Sequence, residues 1–261
     1  MRALLAQLAS VQGQPQANAE RAIAALAAHP EVELAVFPEL FLSGYTLSVL
    51  PQTALRLDSP ELRTVAEAAR SASTAVVVGF AERTAEDALA NSVACIDADG
   101  SLAAVYRKTQ LFGAERGVFQ PGESLRIVRL AGVHVGPLIC FDIEFPEPAR
   151  ELALAGAELL VTASANMDPF VADHEIATRA RALENRVPHL YSNAVGSIGD
   201  VRFVGRSRSV DAAGTILAEA ASDEEALLVA PVGTLGTDDE RVDYLRQLPH
   251  DLDVVGERST G

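Results

Sequence analysis

The chain has no tryptophan, two cysteines, two methionines and far fewer basic than acidic residues, and each shortage removes a class of explanation. Nowhere do about 18 apolar residues run without interruption, so no membrane-spanning helix is expected. Residues 1–16 carry one arginine, Arg2, and a short apolar stretch broken by Gln7. That stretch is too brief and too polar for a secretory signal. Cys95 and Cys140 both lie in strand-like apolar runs and form no C-x-x-C pair, so neither a zinc site nor a dithiol redox centre is expected. A reduced, cytoplasmic setting is the simplest reading. Against 36 acidic side chains stand only 21 basic ones, a formal net charge of −15. Such a field repels phosphate backbones and anionic membrane surfaces, so nucleic acid and membrane are not expected partners.

What is present is core material: 49% of the 261 residues are hydrophobic, enough for one large packed unit. No repeat, low-complexity block or Gly/Ser linker marks a boundary, so residues 1–261 are read as one domain. Strand-like runs stand at Ala3–Leu8, Glu33–Phe37, Ala75–Phe80, Ser92–Asp97, Leu102–Tyr106, Val133–Ile139, Glu158–Ala163, His189–Asn193 and Ala226–Val232. Several are apolar almost throughout, which suits strands covered on both faces. Helical spacing separates them. Leu62, Val65, Ala66 and Ala69 follow Ser59 as N-cap and Pro60 at the first helical position. Pro15–His29 and Phe170–Glu184 read as helices, as does Pro146–Ala155, which ends at Gly156. The order predicts a layered α/β fold.

Three segments carry candidate chemistry, each with an ordinary reading beside it. In Val36-Phe37-Pro38-Glu39-Leu40, a carboxylate follows a buried-type strand and leads into a loop with Ser43-Gly44-Tyr45. Glu39 either faces a pocket or is a solvated loop residue. In Tyr106-Arg107-Lys108-Thr109-Gln110-Leu111-Phe112-Gly113-Ala114-Glu115, a strand ends in two cations, and Lys108 points into a site or out to water. In Ile139-Cys140-Phe141-Asp142-Ile143-Glu144-Phe145-Pro146-Glu147, a cysteine closes an apolar strand just before a polar turn into a helix. That geometry displays a nucleophile near backbone N–H groups and can lower a thiol pKa; a buried cysteine acting as a small hydrophobe is the alternative.

Together these segments resemble the nitrilase superfamily of carbon–nitrogen hydrolases. The resemblance rests on a Glu in F-P-E, a Lys in Y-R-K followed by L-F-G, and a Cys ending I-C-F-D before F-P-E, in that chain order. Ser164-Ala165-Asn166-Met167-Asp168-Pro169-Phe170 and Arg179-Ala180-Arg181-Ala182-Leu183-Glu184-Asn185 add to it, and Asp243-Tyr244-Leu245-Arg246 is similar to a common ending. The resemblance implies a four-layer αββα sandwich, a homodimer or larger homo-oligomer with the tail from about residue 234 available for contacts, and no metal or organic cofactor. No ligand cluster stands out among the five histidines. It implies amide hydrolysis through a thioester on Cys140. Glu39 would be the general base and acid, Lys108 would oppose the oxyanion with the backbone N–H of Phe141, and Glu115 would be a second, positioning glutamate.

Tyr45, Phe141, Glu144 and Asn166, in the matching segments, are expected to line the substrate site. True nitrilases of the superfamily usually have Trp-Glu directly after the cysteine, and here Phe141-Asp142 stands there. The resemblance therefore favours an amidase of the aliphatic amidase and 5-aminopentanamidase branch. Members acting on ω-amides of dicarboxylic acids commonly carry Arg four positions after the cysteine. Glu144 takes that place here, which points to a neutral or cationic small amide, or else serves the helix terminus near Pro146. An N-carbamoyl amino-acid hydrolase would need a carboxylate-binding cation near the cysteine, and a papain-like protease would need a histidine partner in a different context. A non-catalytic binding protein would be expected to have lost one of Glu39, Lys108 and Cys140.

Overall fold

The computed structural model describes residues 1–237, 244, 245 and 247. Most of the tail expected to serve assembly, with Asp243 and Arg246, lies outside the described residues. The strands are β1 (Arg2–Gln7), β2 (Leu34–Val36), β3 (Ala75–Arg83), β4 (Leu89–Ile96), β5 (Leu102–Arg107), β6 (Val128–Leu130), β7 (Val133–Ile139), β8 (Leu159–Ser164), β9 (His189–Asn193), β10 (Val195–Ile198), β11 (Val201–Val204), β12 (Arg208–Val210), β13 (Ile216–Glu219) and β14 (Ala226–Pro231). The helices are α1 (Pro15–Ala28), α2 (Leu50–Thr53), α3 (Pro60–Ala72), α4 (Pro146–Leu154) and α5 (Val171–Asn185).

One six-stranded sheet runs β14-β1-β2-β3-β4-β5, and a second runs β13-β12-β9-β8-β7-β6. In each, three central strands are parallel (β1, β2, β3 and β7, β8, β9) and the flanking strands are antiparallel. The inner faces meet in an apolar layer built from both sheets, with Leu5, Val36, Val77, Val93 and Tyr106 on one side and Val135, Ile139, Val161 and Leu190 on the other. Outside the first sheet, α1 and α3 bury Ala22, Leu26, Leu62 and Val65 against Leu4, Ala35 and Val76. Outside the second, α4 and α5 bury Ala149, Leu152 and Ala177 against Leu138 and Leu160. The result is the αββα sandwich, and it explains why the central strands are apolar without alternation: both faces are covered.

Local sequence explains the helices. α3 starts after Ser59 with Pro60 at its first position, buries the Leu62, Val65, Ala69 stripe, and stops at Ser73 in a left-handed conformation, φ 54°. The Ser59 hydroxyl makes no cap bond, so only the backbone geometry of the expected cap is present. α4 begins at Pro146 and is ended by Gly156, whose φ of 99° suits glycine alone. Five short strands had no periodic signal. One is β12, where the buried strand includes a charged side chain, Arg208, ion-paired with Glu219 at 3.1 Å.

Candidate active site

The functional side chains sit where strands of both sheets end. Glu39 follows β2, and its backbone N–H donates to the Ser164 carbonyl at the end of β8, a direct tie between the sheets (3.3 Å). Gly79 of β3 lies against this turn: a Cβ there would come within 2.6 Å of the Leu40 nitrogen and 2.8 Å of the Glu39 Cα. Lys108 follows β5, its N–H held by the Asn91 carbonyl of β4 (2.8 Å). Glu115 lies in a 3-10 turn, Gly113–Gly117, and one of its oxygens accepts the Phe112 N–H (2.8 Å). Cys140 opens a second 3-10 turn, Cys140–Glu144, straight after β7. It adopts φ 45°, a left-handed backbone unusual for a residue with a side chain, and such strain concentrates at functional positions.

Lys108, fully buried, bridges two carboxylates. Its Nζ lies 2.6 Å from Glu39 Oε1 and 3.0 and 2.9 Å from the two oxygens of Glu115. Tyr45 donates its hydroxyl to Glu115 at 2.6 Å, and Asn91 donates its side-chain amide to Glu39 at 2.7 Å. Burial works to discharge Lys108, but the facing Glu39, Cys140 and Glu115 outweigh it and hold the ammonium above the ordinary lysine range. Burial raises the Glu39 carboxyl above its usual range, opposed by Lys108 and reinforced by Glu115. Its Oε2 is a buried, unpartnered acceptor, as is the side-chain oxygen of Asn91.

A strand-to-turn junction can lower a thiol pKa, with a buried, inert cysteine as the alternative. At Cys140 burial prevails and raises the thiol well above its ordinary value, and the Glu39 charge adds to this. Lys108, Ser164 and the Ala165 N–H pull the other way without winning. Burial thus favours the neutral thiol over the thiolate.

Beside the thiol opens a narrow pocket walled by Tyr45, Phe112, Phe141, Met167, Phe170 and His174, with Glu144 and Asn166 in its lining. The rings of Phe112 stand edge-on to Phe141 and Phe170, with centroids 5.3 and 5.4 Å apart. All four residues expected at a substrate site thus lie here. Asn166 spends its amide on the Phe170 carbonyl (3.0 Å), and Glu144 lies 3.3 Å from His174 Nε2. His174 is buried, its pKa lowered mainly by that burial. Among the described residues, no group of three or more His, Cys, Asp or Glu side chains is placed to hold a metal.

Three contributors escaped the sequence reading. Asn91, one residue before the run read as a strand, was not singled out, yet it donates to Glu39. Asp142 was read only as part of a motif, yet it accepts hydrogen bonds from Tyr106, Ile139, Thr109 and Gln110. Ser164 joins Tyr191 (3.0 Å) and, through it, His174 (2.8 Å), a connection visible only when β8, β9 and α5 are side by side.

Two packed sheets with a lysine held between glutamates beside a strained cysteine define a class of hydrolase. Residues 2–234 match the carbon-nitrogen hydrolase family, and the chain belongs to it. It is 40% identical over 227 residues, 86% of its length and 82% of the relative's, to an (R)-stereoselective amidase of a Pseudomonas species. A hydrolase of Pseudomonas protegens is 40% identical over 209 residues, covering 78% of this chain and 72% of that protein. Among solved structures, a mutant amidase from Nesterenkonia sp. AN1, carrying the acetamide moiety of fluoroacetamide on its active-site cysteine, superposes with a TM-score of 0.83 at 29% identity, over 95% of this chain and 93% of that one. The chain is an amidase that hydrolyses its substrate through a cysteine.

Proposed function

We propose that Cys140 is the nucleophile, Glu39 the proton carrier, Lys108 the oxyanion stabiliser and Glu115 the group that positions Lys108, acting on a small aliphatic amide. The observation that carries this is the fully buried Lys108 bridging Glu39 and Glu115 beside the left-handed Cys140. Glu39 takes the thiol proton as sulfur attacks the amide carbon. Charge moves to the carbonyl oxygen, opposed by Lys108 Nζ and the Phe141 N–H. Glu39 then passes the proton to the nitrogen, the C–N bond breaks, and ammonia leaves a thioester on Cys140. Water attacks the same carbon, its proton goes to Glu39, the C–S bond breaks, and the acid departs as Glu39 returns the proton to sulfur.

The acyl pocket supports a short, neutral or cationic acyl group: its walls are aromatic and its charged lining residue is Glu144. The Nesterenkonia amidase has been seen with butyramide, a ligand of that kind. An N-carbamoyl amino acid would set its carboxylate near Glu144 with no cation in the lining to receive it. We also propose a cytoplasmic protein, in keeping with two free thiols, that assembles as a homodimer or larger. Ile176 (68% exposed) and Leu183 (42%) present an apolar face on α5 that a second copy would cover. Light scattering of wild type and Ile176→Asp tests this, a monomeric wild type counting against it.

The deciding experiment for the site is Cys140→Ala together with iodoacetamide labelling. The variant is expected to fold and release no ammonia from acetamide or butyramide, and wild type to be labelled at Cys140 before Cys95, whose thiol burial pushes up to about 12. An active Cys140→Ala enzyme moves the nucleophile elsewhere.

A further inference from the structure

The two reacting groups open onto different spaces. Cys140 lines the aromatic pocket, and Glu39 does not. Glu39 instead closes the inner end of a second cavity, about 30 Å³, walled by Ser10, Gln12, Ala194, Ser197 and Phe203 from the N-terminal loop and the β10–β11 hairpin. Tyr45 and Ala165 belong to both linings and form the partition. Both spaces are narrow, so size does not distinguish them. Their walls differ in part: the first is dominated by aromatic rings and Met167, whereas the second sets the polar groups of Ser10, Gln12, Ser197 and Glu39 among small and apolar side chains such as Ala194, Val195 and Phe203.

The lining of this second cavity reaches from exposed to buried residues. Ser197 is exposed, whereas Glu39 is 2% exposed. Glu39 Oε1 is taken by Lys108 and Asn91, which leaves the unpartnered Oε2 to face whatever the cavity holds. Roughly 10–15 Å³ seats one water, so there is room for a water or an ammonia molecule in contact with that oxygen.

We propose that this cavity binds and conducts the small polar molecules of the reaction, hydrolytic water inward and ammonia outward, while the acyl group uses the aromatic pocket. The inference rests on the roles given above to Cys140 and Glu39. Once the acyl group is bonded to Cys140 it fills the aromatic pocket, blocking the way it came. Ammonia released at that moment stands on the Glu39 side. The water whose oxygen must bond to the thioester carbon, with one proton going to Glu39 and the sulfur leaving, must also arrive on that side.

The test narrows the cavity at two independent places, with Ser197→Trp at the exposed rim and Ala194→Val in the buried wall. With butyramide as substrate, kcat is expected to fall at least tenfold in the rim variant and severalfold in the wall variant. KM should fall alongside kcat, because slowing the second half-reaction lowers both. Intact-protein mass spectrometry during turnover should show the acyl adduct accumulating on Cys140, and iodoacetamide should alkylate Cys140 at the wild-type rate because the aromatic pocket is untouched. Steady-state constants within about twofold of wild type in both variants (under about 0.5 kcal/mol) overturn the proposal, as does any loss of rate without acyl-enzyme accumulation. A rise in KM with slowed alkylation would make the cavity the substrate's own entrance, which also overturns it. Failure of the underlying site assignment reads differently, as an adduct on a residue other than Cys140.

Discussion

The Tyr106 hydroxyl donates a 2.8 Å hydrogen bond to Asp142 Oδ2 in the buried layer where the two sheets meet. The same oxygen accepts the Ile139 N–H, and Oδ1 accepts from the backbone and hydroxyl of Thr109 and the backbone of Gln110. One carboxylate therefore fastens the Cys140 turn of the second sheet to the strand end that carries Lys108 in the first.

Replacing Asp142 by Asn removes half of this acceptor set while leaving all proposed reacting groups in place. The variant is expected to lose about 2–4 kcal/mol of stability and at least a hundredfold in kcat, because buried donors are left unpaired and the turn and lysine lose their common anchor. Urea unfolding and steady-state kinetics check both numbers, and a variant equal to wild type in both would reduce Asp142 to a spectator.

Lys108→Gln keeps length and polarity but removes the charge proposed to face the oxyanion. A fall of roughly a hundredfold or more in kcat is expected. A rate within about threefold of wild type, under 1 kcal/mol in barrier, would show that the bridged ammonium holds structure and not the transition state.

Glu144 should discriminate by charge. At an effective dielectric near 20, unit charges about 5 Å apart interact by roughly 3 kcal/mol, so 5-aminopentanamide should exceed glutarate monoamide by up to about two orders of magnitude in kcat/KM. Glu144→Gln should narrow that gap while pentanamide changes little. Because Glu144 also meets His174, equal losses for all three substrates would assign it to the scaffold instead.

A pH effect on stability follows from His189, buried between the Thr162 hydroxyl (2.8 Å) and the Thr178 carbonyl (3.0 Å). Burial depresses its pKa from 6.5 to about 4, while the Thr178 carbonyl works against that fall. The folded state therefore keeps the ring neutral where the unfolded chain already binds a proton. The stability concerned is intact above pH 6.5 and drains away as pH falls from there toward 4, by up to about 3 kcal/mol. Urea unfolding of wild type against His189→Gln should show the wild type losing that much more between pH 7 and pH 4; parallel losses would refute it.

The frame of the fold was legible because the central strands are covered on both faces: β7 and β9 run over the very residues read as strand-like runs. It did not carry β6 or β10 to β13, three or four residues each, whose mixed sequences such as Arg208-Ser209-Val210 have no period and become strands only beside their neighbours. Glu39, Lys108 and Cys140 were singled out through short local motifs and Glu115 through the resemblance alone, and the structure brings the two carboxylates together around the Lys108 ammonium. The resting protonation of Cys140 was not legible, since it depends on burial and on Glu39, a residue about a hundred positions away in the chain. Asp142 and Asn91 were equally hidden, their partners being backbone groups and side chains of other strands.

The pairing of β14 with β1 bears on how the molecule is made. Arg2 lies opposite Pro231, so the strand that begins the chain waits for one of the last described segments before its edge is closed. During synthesis, β1 and β2 leave the ribosome early with Glu39, and Cys140 follows at mid-length, but the sheet that presents the carboxylate is incomplete until residues 226–231 arrive. Contacts so distant in sequence form late. A product stalled before residue 226 therefore carries both Glu39 and Cys140 while the first sheet still lacks the strand that pairs with β1.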